Sequence, residues 1–157
     1  MTSGGAIGLP DTVLIACDGF AGGLSAERVA QALQRGLGVS GQPAEICAVG
    51  DRSAGTLAAA LDAAGYDTRM RRALAVITGD GSLDRRSLAG TLVSEVATRA
   101  RQAGVPCHAV VGRNRLSLFH LRILDLQMVV EACTLDEITA AGAVIGAEIV
   151  AQRARGR

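Results

Sequence analysis

Short, continuous apolar runs alternate along this chain with longer stretches in which apolar positions recur every three or four residues. The short runs are Thr12–Cys17 (TVLIAC), Ala44–Val49 (AEICAV), Leu74–Ile77 (LAVI), Cys107–Val111 (CHAVV) and Gln127–Glu131 (QMVVE). Their length and their valines and isoleucines predict strands buried on both faces. Between them the period changes. Ser25 is placed as an N-cap with Glu27 in the first turn, and Val29, Ala32, Leu33, Gly36 and Leu37 form one helical stripe that Gly36 and Gly38 stop. Leu57, Ala60, Leu61 and Ala64 mark a second helix closed by Gly65. Tyr66 to Arg72 carries three arginines and reads as a polar surface connector. A third helix is expected from about Arg85 to Ala103, with Leu88, Leu92, Val96 and Ala100 on one face, before Gly104-Val105-Pro106 breaks it. Leu116 to Leu124 reads as a short helix. Thr134 followed three residues on by Glu137 is a capping box for a last helix reaching about Ala154.

Five strands alternating with five helices predict an α/β fold. It is a single doubly wound, five-stranded parallel sheet with helices on both faces, the Rossmann-like or flavodoxin-like three-layer sandwich. Residues 1–11 read as a loose leader and 12–157 as one domain, with no internal repeat.

Composition narrows the chemistry. Hydrophobic residues make up 49% of the 157 and aromatics only 2%, so the core must be aliphatic. A net charge of +1 argues against a nucleic-acid surface. All 16 basic residues are arginine. The absence of lysine excludes a Walker-type phosphate lysine, a Schiff-base lysine and the lysine of a receiver-type phosphorylation site. Any phosphate chemistry must rest on Arg, metal ions, backbone amides and helix dipoles. Cys17, Cys47, Cys107 and Cys133 form no C-x-x-C pair and are expected to be reduced core residues. His108, inside a strand, and His120, on a short helix, are expected to be structural, and Phe20 to anchor its loop. No signal-like segment and no apolar run of the ~20 residues a bilayer needs is visible, so a cytoplasmic protein without membrane contact is expected.

In a parallel sheet every loop that follows a strand lies on one edge. That rule gathers Asp18, Asp51, Asp80, Asp84, Arg113 and Arg115 at one rim, with glycine turns at Gly22-Gly23, Gly55 and Gly81. Carboxylates in such number call for a cation, and Mg²⁺ is the natural one. The arginines could pair with a phosphate or a carboxylate ligand. Helix starts at Ser25, Ser53 and Arg85 would aim their positive ends at the same crevice. The same residues also read as N-caps and solvated loop charges, and the sequence leaves both readings open.

VLIACDGFAGGLSAERVAQAL resembles the opening of the bacterial glycerate 2-kinases, which carry an A-P-D-S-F-K-G-S-L-S-A pattern. VITGDGSLDRRSLAG resembles their T-G-E-G-x-L-D-x-Q-[ST]-x-x-G-K signature, and AVGDRSAGT is a weaker echo of A-D-G-G-E-G-T. The resemblance runs from Thr12 into the last helix with the motifs in order. It implies a small-molecule ligand, ATP and Mg²⁺ as cofactors, and phosphorylation of glycerate. By the same resemblance Asp18, Asp80 and Asp84 are candidate catalytic residues, with Asp18 and Asp84 on the metal. Gly22, Gly23, Ser25, Asp51, Thr78, Gly79, Gly81 and Arg113 are the candidate nucleotide- or substrate-binding residues. Asp80 replaces the family's glutamate, and its two motif lysines are Ala21 and Thr91 here. The family's inserted second domain is reduced to a few residues around Tyr66 to Arg72. Three functions are compatible with this pattern. One is a domain that binds a nucleotide or small hydroxy acid without efficient turnover. Another is an active kinase completed by homodimerisation, with Arg52, Arg85, Arg86 or Arg113 on the phosphates. The third is a non-enzymatic partner of a separate chain. Lost domain contacts and a mean hydropathy of +0.31 fit self-association.

Overall fold

Strand β1 (Val13–Ile15) lies inside a sheet whose order is β2-β1-β3-β4-β5, with every pairing parallel. Its partners are β2 (Ala44–Ile46) and β3 (Ala75–Asp80), followed by β4 (Cys107–Val111) and β5 (Leu126–Glu131). The structure is a computed structural model, and it describes residues 11–50 and 56–156. The expected leader, apart from Asp11, and the candidate residues Asp51, Arg52, Ser53 and Gly55 lie outside the described residues.

Side chains alternate across the sheet as period-two geometry demands. Val13, Ile15, Ala75, Ile77 and Val110 point to one face, under α1 (Ala26–Val39) and α6 (Leu135–Arg155). Leu14, Val76, Cys107, Ala109 and Val111 point to the other. That face is covered by α2 (Leu57–Ala63), α3 (Tyr66–Arg71), α4 (Leu92–Gln102) and α5 (Leu118–Leu124). The three-layer α/β sandwich expected from the apolar runs is the architecture observed. Strands β1 and β2 are shorter than their apolar runs.

Two expected elements are corrected. The supposed surface connector after Gly65 is a helix, α3, whose Tyr66 and Met70 are fully buried. One turn apart, they share an inward stripe while Asp67, Arg69 and Arg71 face away, so the charge count concealed a short amphipathic helix. The single helix expected from Arg85 is broken. Arg85–Leu88 is one 3₁₀ turn, Ala89 is extended, and Gly90 sits at φ 75°. Thr91 then caps α4 with Ser94 as its reciprocal partner. The positive φ at Gly90 lets the chain reverse out of the helical path. The second helix is capped by Thr56, whose hydroxyl accepts the Ala59 N–H.

Arg99 of α4 ties three helices together by hydrogen bonds to Asp62, Asp67 and Glu95. Burial works against its charge, but those three carboxylates outweigh it and raise its pKa. His108 is buried in β4, and burial lowers its pKa to about 4, so it is neutral. Cys17, Cys47 and Cys107 are buried free thiols, but Cys133 is exposed in the turn before α6 and is no core residue. Among the described residues no helix is long and apolar enough to cross a membrane.

Candidate functional site at the carboxyl edge

The chain runs from β1 outward to β2 on one side and from β3 outward through β4 to β5 on the other. The carboxyl ends of β1 and β3 are therefore the topological switch point, where open α/β sheets place their ligands. Two backbone bonds hold the edge there, from Ala16 N–H to the Ile77 carbonyl and from Asp18 N–H to the Gly79 carbonyl, both 2.9 Å. Asp18 and Asp80 thus leave adjacent strands side by side.

The β1 exit loop closes on itself through a Phe20–Leu24 bridge, with Phe20 N–H 2.7 Å from the Leu24 carbonyl. Gly22 and Gly23 make the reversal at φ 84° and 81°, conformations that only glycine adopts cheaply. Phe20 is buried, as an anchor should be. Ser25 then caps α1, its hydroxyl accepting the Arg28 N–H at 3.2 Å.

Glycines let three exit loops touch. A Cβ on Gly79 would stand 2.6 Å from the Val110 carbonyl oxygen, and one on Gly81 would stand 3.3 Å from the Ala21 nitrogen. A Cβ on Gly112 would collide with the Gly81 carbonyl. Beyond Gly81, the buried Leu83 gives its N–H to the Arg113 carbonyl and accepts the Arg115 N–H, both at 2.8 Å. This extra parallel pairing brings the Asp84 turn beside the Arg113 loop. The pattern of glycines was readable in the sequence; the anchoring role of Leu83 was not.

The carboxylates are already oriented by local backbone. Asp80 Oδ1 accepts the Gly81 N–H at 2.6 Å. Asp84 caps the 3₁₀ turn by accepting the Arg86 N–H at 2.8 Å, while its own N–H reaches Ser87 Oγ. Thr78 is placed differently from a rim ligand. It is fully buried inside β3, and its hydroxyl has no hydrogen-bond partner among the described residues. Among the described residues, no three His, Cys, Asp or Glu side chains are gathered as a preformed metal cage. A Mg²⁺ held by the described rim carboxylates would complete its octahedral oxygen shell with water or nucleotide-phosphate oxygens.

A hollow of about 230 Å³ opens between Phe20, Ala21, Gly81, Gly112, Arg113 and Cys133. A second, of about 380 Å³, shares Ala21 and Cys133 with it and runs to Thr134 at the start of α6. Sequence reasoning missed Ala21 and Cys133 as liners. Ala21 is the position where the resemblance sets a lysine. The other motif-lysine position, Thr91, serves as a helix cap. A hollow of about 260 Å³ beside Arg69 and Arg72 lies at the opposite, amino edge of the sheet, away from these loops.

The glycerate kinase family profile matches residues 46–154. The chain belongs to the glycerate kinase family. The match includes the β3 motif and the Arg113 loop; the Asp18 loop precedes it. No curated protein sequence matches the chain. Among solved structures, a diflavin flavoprotein A3 from Nostoc sp. is 14% identical with a TM-score of 0.56, over 94% of this chain and 99% of that one. The flavodoxin-like domain of a Synechococcus sp protein is 16% identical with a TM-score of 0.51, over 91% and 99%. These likenesses establish the fold. A protein described as glycerate kinase 2 from Salmonella typhimurium LT2 is 21% identical with a TM-score of 0.46. That match covers 61% of this chain and 26% of the other, so the chain spans about a quarter of that protein.

Proposed function

We propose that this glycerate-kinase-family domain binds a nucleotide or a small hydroxy acid at the carboxyl edge of its sheet, with phosphoryl transfer to glycerate much reduced. The observation that carries the reading is the joining of the β1 and β3 exit loops at the switch point, which sets Asp18 beside Asp80. The hollow next to Arg113 is small for a whole nucleotide and suits a small acid or terminal phosphates. Together with its neighbour it falls within the usual range of ligand sites.

The residues divide the work as follows. The Arg113 guanidinium would pair with a phosphate or carboxylate oxygen. Asp18 and Asp84 would hold a Mg²⁺ brought in by the nucleotide, and the ion would neutralise charge on the transferring phosphoryl group. Asp80, fixed by the Gly81 N–H, would take the proton from the acceptor hydroxyl. Two charges are missing from this set, because Ala21 and Thr91 stand at the motif-lysine positions. Each lost charge contact to a developing anion costs ~2–4 kcal/mol of transition-state stabilisation, so turnover should fall by orders of magnitude while binding survives.

The test is calorimetric titration with ATP and Mg²⁺, followed by ADP release with glycerate. Binding with slow or no ADP release supports the proposal. No heat at millimolar ATP and none with glycerate would end it, and rapid glycerate-dependent ADP release would make the protein an active kinase.

A further inference from the structure

Helix α5 carries an outward apolar face although the chain has very few aromatic residues to spare. Leu118 is 76% exposed, Phe119 70% and Ile123 43%. One of only three aromatic side chains in the protein is therefore turned to solvent, with Arg122 on the same face of the helix. Contiguous exposed apolar side chains of this kind mark contact surfaces.

The charges around the face decide its occupant. Arg115 lies just before the Ser117 cap, and Asp125 is the left-handed C-cap at φ 54°. Neither they nor Arg122 enter a salt bridge among the described residues. A second α5 laid antiparallel across the first, on a two-fold axis, sets Leu118 against Ile123 and Phe119 against Arg122 of the other copy. The same axis brings Arg115 to the other copy's Asp125. Every contact is then apolar on apolar, cation on aromatic face, or opposite charges, and each occurs twice. The neighbouring sheet edge is a poorer surface. Strand β5 has a register shift opposite Cys107/Ala109, and a bulge blunts edge-to-edge pairing.

We infer that α5 is the interface of a weak, isologous homodimer in which two copies pack their α5 helices antiparallel. Three exposed apolar side chains fall well short of a standard interface of ~1,600 Å², so association belongs in the micromolar range or weaker. Helices of this sheet run against the strands they follow. Antiparallel α5 helices therefore send the two carboxyl edges in opposite directions, and neither copy completes the other's site.

Sedimentation velocity over a dilution series tests this on the intact chain. The wild type should show reversible monomer–dimer exchange. Phe119→Glu should weaken association about tenfold or more, and Leu118→Ser should act in the same direction. Arg115→Glu should weaken it a few-fold, with the wild-type affinity falling as salt is raised. Val144→Glu, at a residue 54% exposed on α6, should change nothing. All positions are exposed, so unchanged far-UV circular dichroism and unfolding temperature confirm that the variants fold. A wild-type protein that stays monomeric throughout, or a dimer indifferent to both Phe119→Glu and Leu118→Ser, overturns the inference.

Discussion

Gly142 of α6 packs its backbone onto Gly36 of α1, so closely that a Cβ on Gly142 would stand 3.3 Å from the Gly36 Cα and 2.7 Å from the Leu33 carbonyl oxygen. Next to this contact Ser40 donates its hydroxyl to the Ala143 carbonyl at 2.6 Å. An alanine would ordinarily favour a helix by about 1 kcal/mol over glycine. Here the added methyl must push two helices apart. Gly142→Ala should therefore lower stability by about 1–3 kcal/mol net, read as a shift in the urea midpoint at constant slope. A stabilised variant would contradict the close contact.

Tyr66 makes the corresponding contact on the other face, its hydroxyl donating to the Val96 carbonyl at 2.9 Å. Its ring is fully buried among α2, α3 and α4. Tyr66→Phe keeps the packing and should cost about 1 kcal/mol. Tyr66→Ala leaves a cavity and should cost about 3–5 kcal/mol. Both are measured by chemical denaturation.

His108 makes stability depend on pH in a defined direction. Its pKa falls from 6.5 in an unfolded chain to about 4 in the fold because burial disfavours the imidazolium; nearby Glu148 opposes the shift. Below 6.5 the unfolded chain binds a proton that the native protein does not, so stability declines as pH falls toward about 4 and levels off beneath it. The loss amounts to at most about 3 kcal/mol. Denaturation midpoints between pH 7 and 4 should show it, and His108→Leu should flatten this limb.

The cysteines should divide by access. Burial pushes the Cys17 and Cys107 thiols up to about 12, and Cys47 is raised as well. Cys133 alone of the four is exposed. A thiol reagent should modify one cysteine in the native protein and all four in denaturant. Cys133→Ser should remove the native signal.

Ligand binding should separate charge from folding at Asp84. Asparagine caps a helix about as well as aspartate, so Asp84→Asn should keep the turn while removing the negative charge. Mg²⁺-dependent ATP binding should weaken about tenfold, the equivalent of ~1.4 kcal/mol, with little change in unfolding temperature. Ala21→Lys should act in the opposite sense, tightening ATP binding by setting an ammonium at the hollow it lines.

The sheet was legible because parallel strands buried on both faces leave continuous apolar runs such as Cys107–Val111. The capping pair Thr134 and Glu137 likewise announced α6, and Glu137 does reach back to the Thr134 N–H. Helix α3 was hidden because six residues hold only one inward pair, Tyr66 and Met70, among four polar or charged ones. The break before α4 was hidden because Leu88 and Leu92 keep helical spacing across Gly90, and spacing carries no record of a left-handed residue between them. At the edge of the sheet, aspartates and glycines declared themselves by type. Leu83, which docks the Asp84 turn on the Arg113 loop, looks in sequence like any core leucine, because its function lies in main-chain bonds to distant residues.

The pairing of α1 with α6 also bears on the order in which the chain matures. The elements that cover the opposite face of the sheet, α2 to α5, all emerge during synthesis before α6 does. The face bearing Val13, Ile15 and Ile77 has only α1 until residues 135–155 arrive. A nascent chain therefore carries a half-clad, strongly apolar sheet until α6 has left the ribosome. That interval is when it is most exposed to aggregation and most in need of a chaperone.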